Sequence, residues 1–547
     1  MQSSWRSILR RRWLLALIAL ATLWHAQRYD FFCDDAFIAL RYAKNLSQHH
    51  ELSYNLGQRV EGFTSPLWVL LVAAAGSLGV PLVAAAQLLG GLAALLALWA
   101  SSRFWDELEP QAPWLALVPA AGLAVSAPFA AWALGGLETP LFVALFTLAL
   151  AEIARAARVT DVQGGFRAGL AVALGTLCRP EGATLIAIGS VVLCLPMPAA
   201  SVPRWRVWLA WLAPIACLVG GYELFRLAYY GYPLPNTFYV KTSGEGLWQR
   251  GVNYLAFAGS ELGWPLVLAC ALSVGYVARR HPVKSAAEDA RSSRVLVVCT
   301  SVASAIHLLY VARIGGDFLD LYRFLAPLLP AAFCCLTSAG RRLFAELEGA
   351  KRTAVLVAAA CLTLVHGWHQ YTLAGRASRV ADSSRAALHL EPLGWTRSYA
   401  RRWQGIGSWL AKVRVQGDST AVGAAGALPF YADLPNLDLF GLNDLEIARN
   451  GRLIGNRPGH QRFATLEYLL AQKPTFIFMN PESTPPTSGR LRYDRYWISR
   501  GYLPIEIRVE RALCDCAEPF YHQFLVRRER ADSLRGRADV VVGSVIR

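Results

Sequence analysis

The sequence predicts a polytopic α-helical membrane protein with a soluble α/β domain at its C-terminal end. First, 54% of its 547 residues are hydrophobic and only 17% are charged, whereas soluble proteins carry about 25% charge. Second, after about residue 372 the chain is charged, is interrupted by Pro and Gly, and has no long apolar run. Third, nearly uncharged runs approach the roughly 20 residues needed to cross a bilayer, at 13–21, 81–100, 207–221 and 295–311.

The positive charge of the chain is distributed as in a membrane protein. The formal net charge is +16, but Arg and Lys cluster at the ends of apolar runs, where they anchor cytoplasmic loops. Nucleic acid is therefore not the predicted partner. The basic segment at 6–12 would also suit a signal peptide, but no convincing cleavage site follows it. We predict a retained first span at about 13–28.

The basic clusters also set the number of spans. The apolar run 63–78 suits either a span or a helix lying in the outer interface. As a span, it would place the arginine pairs at 279–280 and 341–342 outside the cytoplasm, against the positive-inside rule. We therefore predict an interfacial helix there and about eleven spans in all. The resulting division is a membrane domain at 1–371, with its first outer loop at about 29–80, and an extracytoplasmic domain at 372–547.

This topology places the polar motifs on one side of the membrane. Ionisable groups at membrane depth are costly, and a functional role is the default interpretation for them. A group of them at one interface predicts a single cavity at the outer face of the cytoplasmic (inner) membrane. The residues concerned are Asp34, Asp35, Glu61, Glu138, Arg179, Glu181, Asn236, Lys241, Asp317 and Arg323.

The acidic pair Asp34-Asp35 is the strongest candidate for a reactive centre. It follows the first span and starts a segment with helical spacing, in which Arg41 and Asn45 share a face. A carboxylate at the membrane surface can take the proton of an attacking hydroxyl group. The alternative is plain capping, since acidic residues also suit the N-terminus of a helix.

The sequence around this pair narrows the interpretation. Asp34-Asp35, Arg-Tyr-Ala-x-Asn-Leu at 41–46, Tyr-Asn at 54–55 and Val-Glu-Gly-Phe-Thr-Ser-Pro-Leu-Trp at 60–68 resemble the first outer loop of GT-C glycosyltransferases. Within that superfamily the chain is most similar to the mycobacterial terminal β-(1→2) arabinofuranosyltransferase family. Further blocks that resemble this group lie at 136–139, 179–182, 235–241, 315–324 and, more weakly, 441–444.

The resemblance implies a GT-C fold and an integral-membrane glycosyltransferase. Such an enzyme moves a sugar from a polyprenyl-phosphate donor in the membrane lipid to an extracytoplasmic glycan or glycoprotein acceptor. Arabinofuranose is implied by the closest resemblance only, and pilin and lipopolysaccharide stay open as acceptors. A divalent cation beside Asp34-Asp35 is a further implication, because some GT-C enzymes use one, although the sequence shows no ligand set.

Such a transfer gives each motif a candidate role. Either Asp34 or Asp35 is the general base, and we favour Asp34. The leaving lipid phosphate needs cationic donors, for which the candidates, in order, are Lys241, Arg323, Arg179 and Arg41. The candidate sugar- and acceptor-binding residues are Glu61, Glu138, Asn236, Tyr239 and Asp317.

Structural roles compete with several of these assignments. Each cation would also suit snorkelling to lipid headgroups. Ordinary pairing with Arg41 or Arg59 is the alternative for Glu61 and Glu138. Asp317 follows two glycines that allow a tight turn, so capping of that turn is its alternative.

The C-terminal part predicts a small α/β unit. A strand that runs into a Gly-rich turn is predicted at 420–426, a buried strand at 474–479, and an amphipathic helix at 463–472. Shorter strand patterns lie at 524–526 and 540–542. Acceptor binding and a purely structural cap stay open as roles of this unit.

Two other functions compete with the transferase. A transporter or flippase of lipid-linked saccharide would carry polar residues at mid-membrane depth in broken helices, whereas the motifs here lie at predicted span ends. A scaffold of an envelope complex would leave the acidic pair dispensable. The scaffold therefore differs from the transferase in what it requires of Asp34 and Asp35, and transport without transfer would favour the flippase.

Overall fold

The first two thirds of the chain are helical, and a mixed sheet follows. The structure is a computed structural model that describes residues 2–159, 161–194, 202–241, 244–279, 287–379, 390–478, 495–514, 516 and 518–543. The helices up to residue 377 are Gln2–Gln27, Asp34–His49, Pro66–Ser77, Leu82–Leu108, Pro113–Ala116, Leu117–Val125, Ala127–Ala133, Thr139–Val159, Val162–Cys178, Pro180–Ala183, Thr184–Cys194, Arg204–Ile215, Ala216–Gly220, Gly221–Tyr230, Asn236–Lys241, Leu247–Leu262, Trp264–Arg279, Ala287–Arg313, Ala326–Leu328, Leu329–Glu346 and Gly349–Ala377.

Several of these helices are long and apolar enough to cross a membrane. Among the described residues four qualify by length and composition, namely Leu82–Leu108, Thr139–Val159, Arg204–Tyr230 and Gly349–Ala377. Two bent helix pairs would raise the number to six if each pair is one span. The predicted class, a polytopic helical membrane protein, is confirmed. The predicted number of about eleven spans stays a prediction.

Two helices bear on the predicted boundaries. The run predicted as interfacial contains the helix Pro66–Ser77, whose 12 residues extend over only about 18 Å. This helix alone is too short for a hydrocarbon core of about 30 Å. The helix Gly349–Ala377 continues past the predicted domain boundary at 371/372, and that boundary stays a prediction.

Small residues let the membrane helices approach one another closely. A Cβ atom at Gly169, in Val162–Cys178, would lie 2.1 Å from the carbonyl oxygen of Trp211, in Arg204–Ile215. Such an approach is possible only without a side chain, and small residues at helix interfaces are typical of membrane proteins. The glycine therefore fixes the packing of these two helices.

The C-terminal region, which follows residue 390, contains a mixed six-stranded sheet. Its order is β2-β1-β5-β7-β6-β8, with β2, β1 and β5 parallel and the remaining pairs antiparallel. A separate two-stranded hairpin is formed by β3 and β4. The strands are β1 Thr420–Val422, β2 Asn436–Asp438, β3 Arg452–Leu453, β4 Arg462–Phe463, β5 Phe476–Phe478, β6 Tyr502–Val509, β7 Phe520–Arg527 and β8 Val540–Val542.

The α/β prediction for this region is confirmed, with two additions. The structure has strands at the predicted positions and a helix at Leu466–Gln472. The sequence analysis missed β6, the longer partner of β7, and the 21-residue helix Leu393–Val413. The other helices here are Ala427–Ala432, Leu445–Asn450, Arg495–Ser499, Arg511–Leu513 and Arg528–Leu534.

One hydrophobic core joins the first outer loop to the C-terminal region. It contains Tyr42 and Trp68 from the loop, and Trp403 and Phe476 from the region after residue 390. Burial of such large aromatic side chains contributes strongly to stability. The acidic pair at the start of Asp34–His49 is therefore held against the C-terminal region.

Candidate active site

A cavity lies where the first outer loop, the helix Asn236–Lys241 and the C-terminal region meet. It encloses about 620 Å³ of empty space, open solvent included. Both residues of the acidic pair line it, together with Lys241, as the sequence analysis predicted. Its other lining residues include Cys33, Ile38, Phe318, Leu319, Glu391, Thr396, Tyr399, Phe440, Leu442, Gly459 and His460.

Asp34 is buried and its carboxylate caps a helix of the C-terminal region. Its Oδ1 accepts a hydrogen bond of 2.9 Å from the amide of Ala427, at the start of Ala427–Ala432. A Cβ atom at Gly426 would lie 2.0 Å from the Asp34 carbonyl oxygen and 2.6 Å from Oδ2. Burial and, to a smaller extent, the neighbouring Asp35 raise the pKa of Asp34 to about 7, although hydrogen bonds from the amides of Ala427 and Gly426 oppose the rise.

Asp35 differs from its neighbour because its side chain forms no hydrogen bond or ion pair within the described part of the chain. Burial raises the pKa of Asp35, whereas the positive charges of Arg323 and Lys241 oppose that rise. The carboxylate is only half-buried and lines the cavity. It is the acid of the pair that can receive a proton without losing a structural contact.

Lys241 is the predicted phosphate ligand that the structure places at the cavity surface. Its side chain is exposed, and no ion pair with a described residue holds it. Arg323 lies behind the lining and is engaged with Asp317, with Nε 2.6 Å from Oδ2 and Nη2 3.4 Å from Oδ1. Asp317 and Arg323 therefore form an ion pair with each other and do not line the cavity.

The Gly-Gly-Asp turn before Arg323 is fixed from two sides. The Asp317 carboxylate accepts from the amide of Phe318 at 2.9 Å. Arg250, which the sequence analysis missed, donates to the carbonyl oxygens of Gly315 and, at 3.0 Å, Asp317. The Asp317 carboxylate thus caps the turn, as the alternative interpretation expects, and also forms the ion pair with Arg323.

The loop 454–461, which joins β3 to β4, forms one wall of the cavity. A methyl group at Gly459 would lie 3.9 Å from Lys241 Cε. Arg457 in this loop is paired with Glu391 and lies 5.0 Å from the Phe318 ring centre. Burial lowers the pKa of His460 to about 3, so its imidazole in this wall is neutral. The sequence analysis missed Glu391, Arg457 and His460, because no motif marks them.

The first loop and the segment 441–444 form a docking seam beside the cavity. Tyr42 Oη donates to the carbonyl oxygen of Val60 at 2.6 Å and contacts Asn443 Oδ1 at 3.0 Å. Asn236 Nδ2 lies 2.9–3.1 Å from the carbonyl oxygens of residues 441, 442 and 444. A Cβ atom at Gly62 would lie 2.0 Å from Asn443 Oδ1. Asn236, predicted to bind sugar, thus holds the seam together.

Glu61 lies on the far side of this seam. Its carboxylate accepts from Arg226 Nε at 2.6 Å and from Tyr222 Oη at 2.6 Å. The predicted pairing of Glu61 with Arg41 or Arg59 is wrong, because Glu61 forms its ion pair with Arg226, on the helix Gly221–Tyr230. A helix from a distant part of the sequence could not be foreseen as its partner.

Arg41 and Tyr239, two further predicted site residues, also lie in structural contacts. Arg41 is buried and donates to the carbonyl oxygens of Tyr54 at 2.7 Å, Leu434 at 2.6 Å and Pro429. The guanidinium carbon of Arg449 lies 4.8 Å from the centre of the Tyr239 ring. Neither residue lines the cavity that holds Asp34-Asp35.

Arg179 is held between two acidic residues. Its Nη1 donates to Glu138 Oε1 at 2.9 Å and its Nε donates to Glu181. The guanidinium also lies 4.8 Å from the Phe324 ring centre. Glu138 and Arg179, predicted as sugar and phosphate ligands, therefore form a buried cluster with Glu181.

The described residues contain no group of three or more His, Cys, Asp or Glu side chains that could hold a metal ion. The acidic pair supplies two carboxylates, and Asp34 already accepts an amide hydrogen bond. A divalent cation beside this pair stays a prediction.

The chain is similar to known proteins in both its helical part and its C-terminal region. A family described as a domain of unknown function, DUF8728, matches residues 394–524. Among solved structures, ArnT from Cupriavidus metallidurans bound to undecaprenyl phosphate has a TM-score of 0.48 at 12% identity, covering 80% of this chain and 86% of that one. Archaeoglobus fulgidus AglB has a TM-score of 0.49 at 11% identity, covering 79% of this chain and 65% of its own.

Two curated relatives share the name terminal β-(1→2)-arabinofuranosyltransferase. The protein from Corynebacterium glutamicum is 28% identical over 363 residues, which is 58% of this chain and 49% of the relative. That from Mycobacterium tuberculosis is 29% identical over 359 residues, 60% of this chain and 55% of the relative. The chain spans about half the length of these relatives. The resemblance predicted from the motifs is confirmed, since the chain is similar to terminal arabinofuranosyltransferases over more than half of its sequence.

Proposed function

We propose that this chain is an integral-membrane glycosyltransferase. It moves a sugar, arabinofuranose by the names of its curated relatives, from a polyprenyl-phosphate donor to a glycan or glycoprotein acceptor. The observation that carries the proposal is the cavity lined by the Asp35 carboxylate and the Lys241 ammonium, neither of which pairs with another described residue. A base and a cation in one cavity are what such a transfer requires of the protein.

The proposed reaction assigns one role to each of these groups. The acceptor hydroxyl oxygen bonds to the anomeric carbon of the donor sugar, and the bond from that carbon to the phosphate oxygen breaks. The hydroxyl proton passes to Asp35. The lipid phosphate leaves with the bonding electron pair, and Lys241 stabilises its negative charge.

Asp34 is a positioning residue in this proposal. The amide of Ala427 occupies one of its oxygens, and Gly426 packs against the other. We therefore revise our preference for the general base from Asp34 to Asp35. Arg323, Arg179 and Arg41 support the surrounding structure through their own partners, and Lys241 is the proposed phosphate ligand.

The location and division of the chain are part of the same proposal. The protein lies in the cytoplasmic (inner) membrane, with the C-terminal region outside the cytoplasm, where lipid-linked sugars meet envelope acceptors. We place the domain division just after the helix Gly349–Ala377 instead of at 371/372, because that helix continues without a break to its last residue. The C-terminal region then supplies one wall of the cavity.

The test compares single substitutions in the purified protein with a synthetic polyprenyl-phosphate arabinofuranose and an arabinofuranosyl oligosaccharide acceptor. Asp35→Asn removes the base, and we expect transfer to fall by about 10²–10⁴-fold. Asp34→Asn keeps an oxygen that can accept from Ala427, so most activity should remain. Asp30→Asn, at an exposed position in the same loop, is the matched control.

The outcomes separate the candidate functions. Full activity of Asp35→Asn would refute the proposed base, and loss in Asp34→Asn alone would return that role to Asp34. Movement of the lipid-linked sugar across a vesicle membrane without transfer would favour a flippase, which no feature of the cavity favours at present.

A further inference from the structure

A second, smaller cavity lies on the other side of the docking seam. It encloses about 200 Å³, open solvent included, and is lined by residues of the first loop, of the segment after the span Arg204–Tyr230, and of the helix Leu445–Asn450. Two of its lining residues are the arginines Arg59 and Arg449. The transfer reaction uses neither.

Arg449 is preorganised and has a spare donor. Its guanidinium carbon lies 4.2 Å from the ring centre of Tyr232 and 4.8 Å from that of Tyr239. Its Nη1 donates to the Leu445 carbonyl oxygen at 3.1 Å. Its Nη2 is buried and has no hydrogen-bond partner in the described part of the protein. A buried donor without an acceptor is costly, so an oxygen atom of a bound ligand would stabilise this side chain.

Arg59 adds a second uncompensated charge. Its side chain is exposed, and its guanidinium lies 4.6 Å from the Tyr229 ring centre. Neither arginine forms an ion pair with a described residue. The carboxylate of Glu61, which also lines the cavity, is already engaged by Arg226 and Tyr222. The cavity therefore has an excess of positive charge.

We propose that this cavity binds a phosphate group. Planar guanidinium groups match the oxygens of phosphate and bind it in a bidentate manner. The cavity lies at the end of the span Arg204–Tyr230, beside tyrosines of the kind that mark a membrane interface. A lipid headgroup and free phosphate both carry this chemistry.

The experiment measures lipid and phosphate binding by the full chain in detergent. Native mass spectrometry with added phosphatidylglycerol and phosphatidylcholine reports the lipid, and isothermal titration reports inorganic phosphate. We expect Arg449→Gln and Arg59→Gln each to weaken anion binding at least about tenfold, which corresponds to about 1.4 kcal/mol. The control is Arg500→Gln, an exposed arginine 3.4 Å from the Tyr496 ring centre, which should bind like the unmodified chain.

Each outcome decides the proposal or the source of the phosphate. If the arginine variants lose phosphatidylglycerol binding and the unmodified chain does not bind inorganic phosphate, the ligand is the lipid headgroup. If the unmodified chain binds inorganic phosphate saturably and the same variants lose that binding, the ligand is the free ion. Equal binding of lipid and of inorganic phosphate by Arg59→Gln and by the unmodified chain overturns the proposal. Arg59→Gln keeps the test valid if Arg449→Gln fails to fold, because Arg59 is exposed. The measurement does not depend on transfer activity, so the phosphate-binding proposal can be tested even if the proposed function is wrong.

Discussion

The close approach of Gly426 to Asp34 makes Gly426→Ala a severe substitution. The new Cβ would lie 2.0 Å from the Asp34 carbonyl oxygen, whereas Cβ contacts under 3.0 Å essentially never occur. The first turn of Asp34–His49 must therefore move away from the C-terminal region by about 1 Å, and a misplacement of that size can cost about 10²-fold in rate.

The same shift pulls the Asp34 carboxylate away from its amide donors. Each hydrogen bond to a charged group contributes about 1.5–3 kcal/mol. Above about pH 7, where Asp34 is ionised, losing the bond from Ala427 and the interaction with the Gly426 amide should therefore lower the free energy of unfolding by about 3–6 kcal/mol. Asp35 moves with the same turn, so stability and transfer should fall together.

The assay follows thermal unfolding in detergent and the transfer rate of the same preparation. Gly455→Ala is the control, because a Cβ atom there meets nothing within 4 Å and the position lies in the same region of the chain. A Gly426→Ala protein with the melting temperature and transfer rate of the Gly455→Ala control would refute the contact between this glycine and Asp34.

Three further predictions concern charged groups. The pKa of Asp34 is raised to about 7 in the folded protein, so Asp34 keeps a proton there that it loses above about pH 4 in the unfolded chain. The free energy of unfolding should therefore fall between about pH 4 and 7, by up to about 1.4 kcal/mol per pH unit. In the Asp34→Asn variant the melting temperature should depend less on pH over that range. Arg226→Gln leaves the buried Glu61 with Tyr222 only, and we expect a loss of about 3–5 kcal/mol that Glu61→Gln partly restores in a double-mutant cycle; additive effects would contradict the pair. Arg323→Lys cannot reproduce the two bonds to Asp317, so transfer should fall at least about tenfold, and an unchanged rate would argue against a role for that turn.

The helical membrane class and the grouping of Asp34, Asp35 and Lys241 could be predicted from the sequence. Apolar runs show their length directly, and the charge pattern placed these three side chains on one side of the membrane. The expectation of one shared cavity held for these three residues, which line it, whereas the other seven polar residues grouped with them do not. For the three that line it, only the order of importance changed, because the amide of Ala427 is invisible in the sequence.

The partners of the remaining motif residues could not be predicted. Glu61 meets Arg226, which is 165 positions away, and Arg41 meets the Leu434 carbonyl oxygen, 393 positions away. Such contacts depend on how the C-terminal region packs on the first loop, and local spacing carries no information about that. The one available signal was the resemblance at 441–444, which turned out to be the segment that contacts Asn236 and Tyr42.

The bond between Asp34 and Ala427 also has a consequence for the newly made protein. The two residues are separated by 393 positions, so at about 5–20 residues per second the donor is synthesised roughly 20–80 s after the acceptor. During that interval the first loop has already left the ribosome without the contact that holds its acidic pair. The cavity that contains the acidic pair is therefore completed only after the C-terminal region has been synthesised.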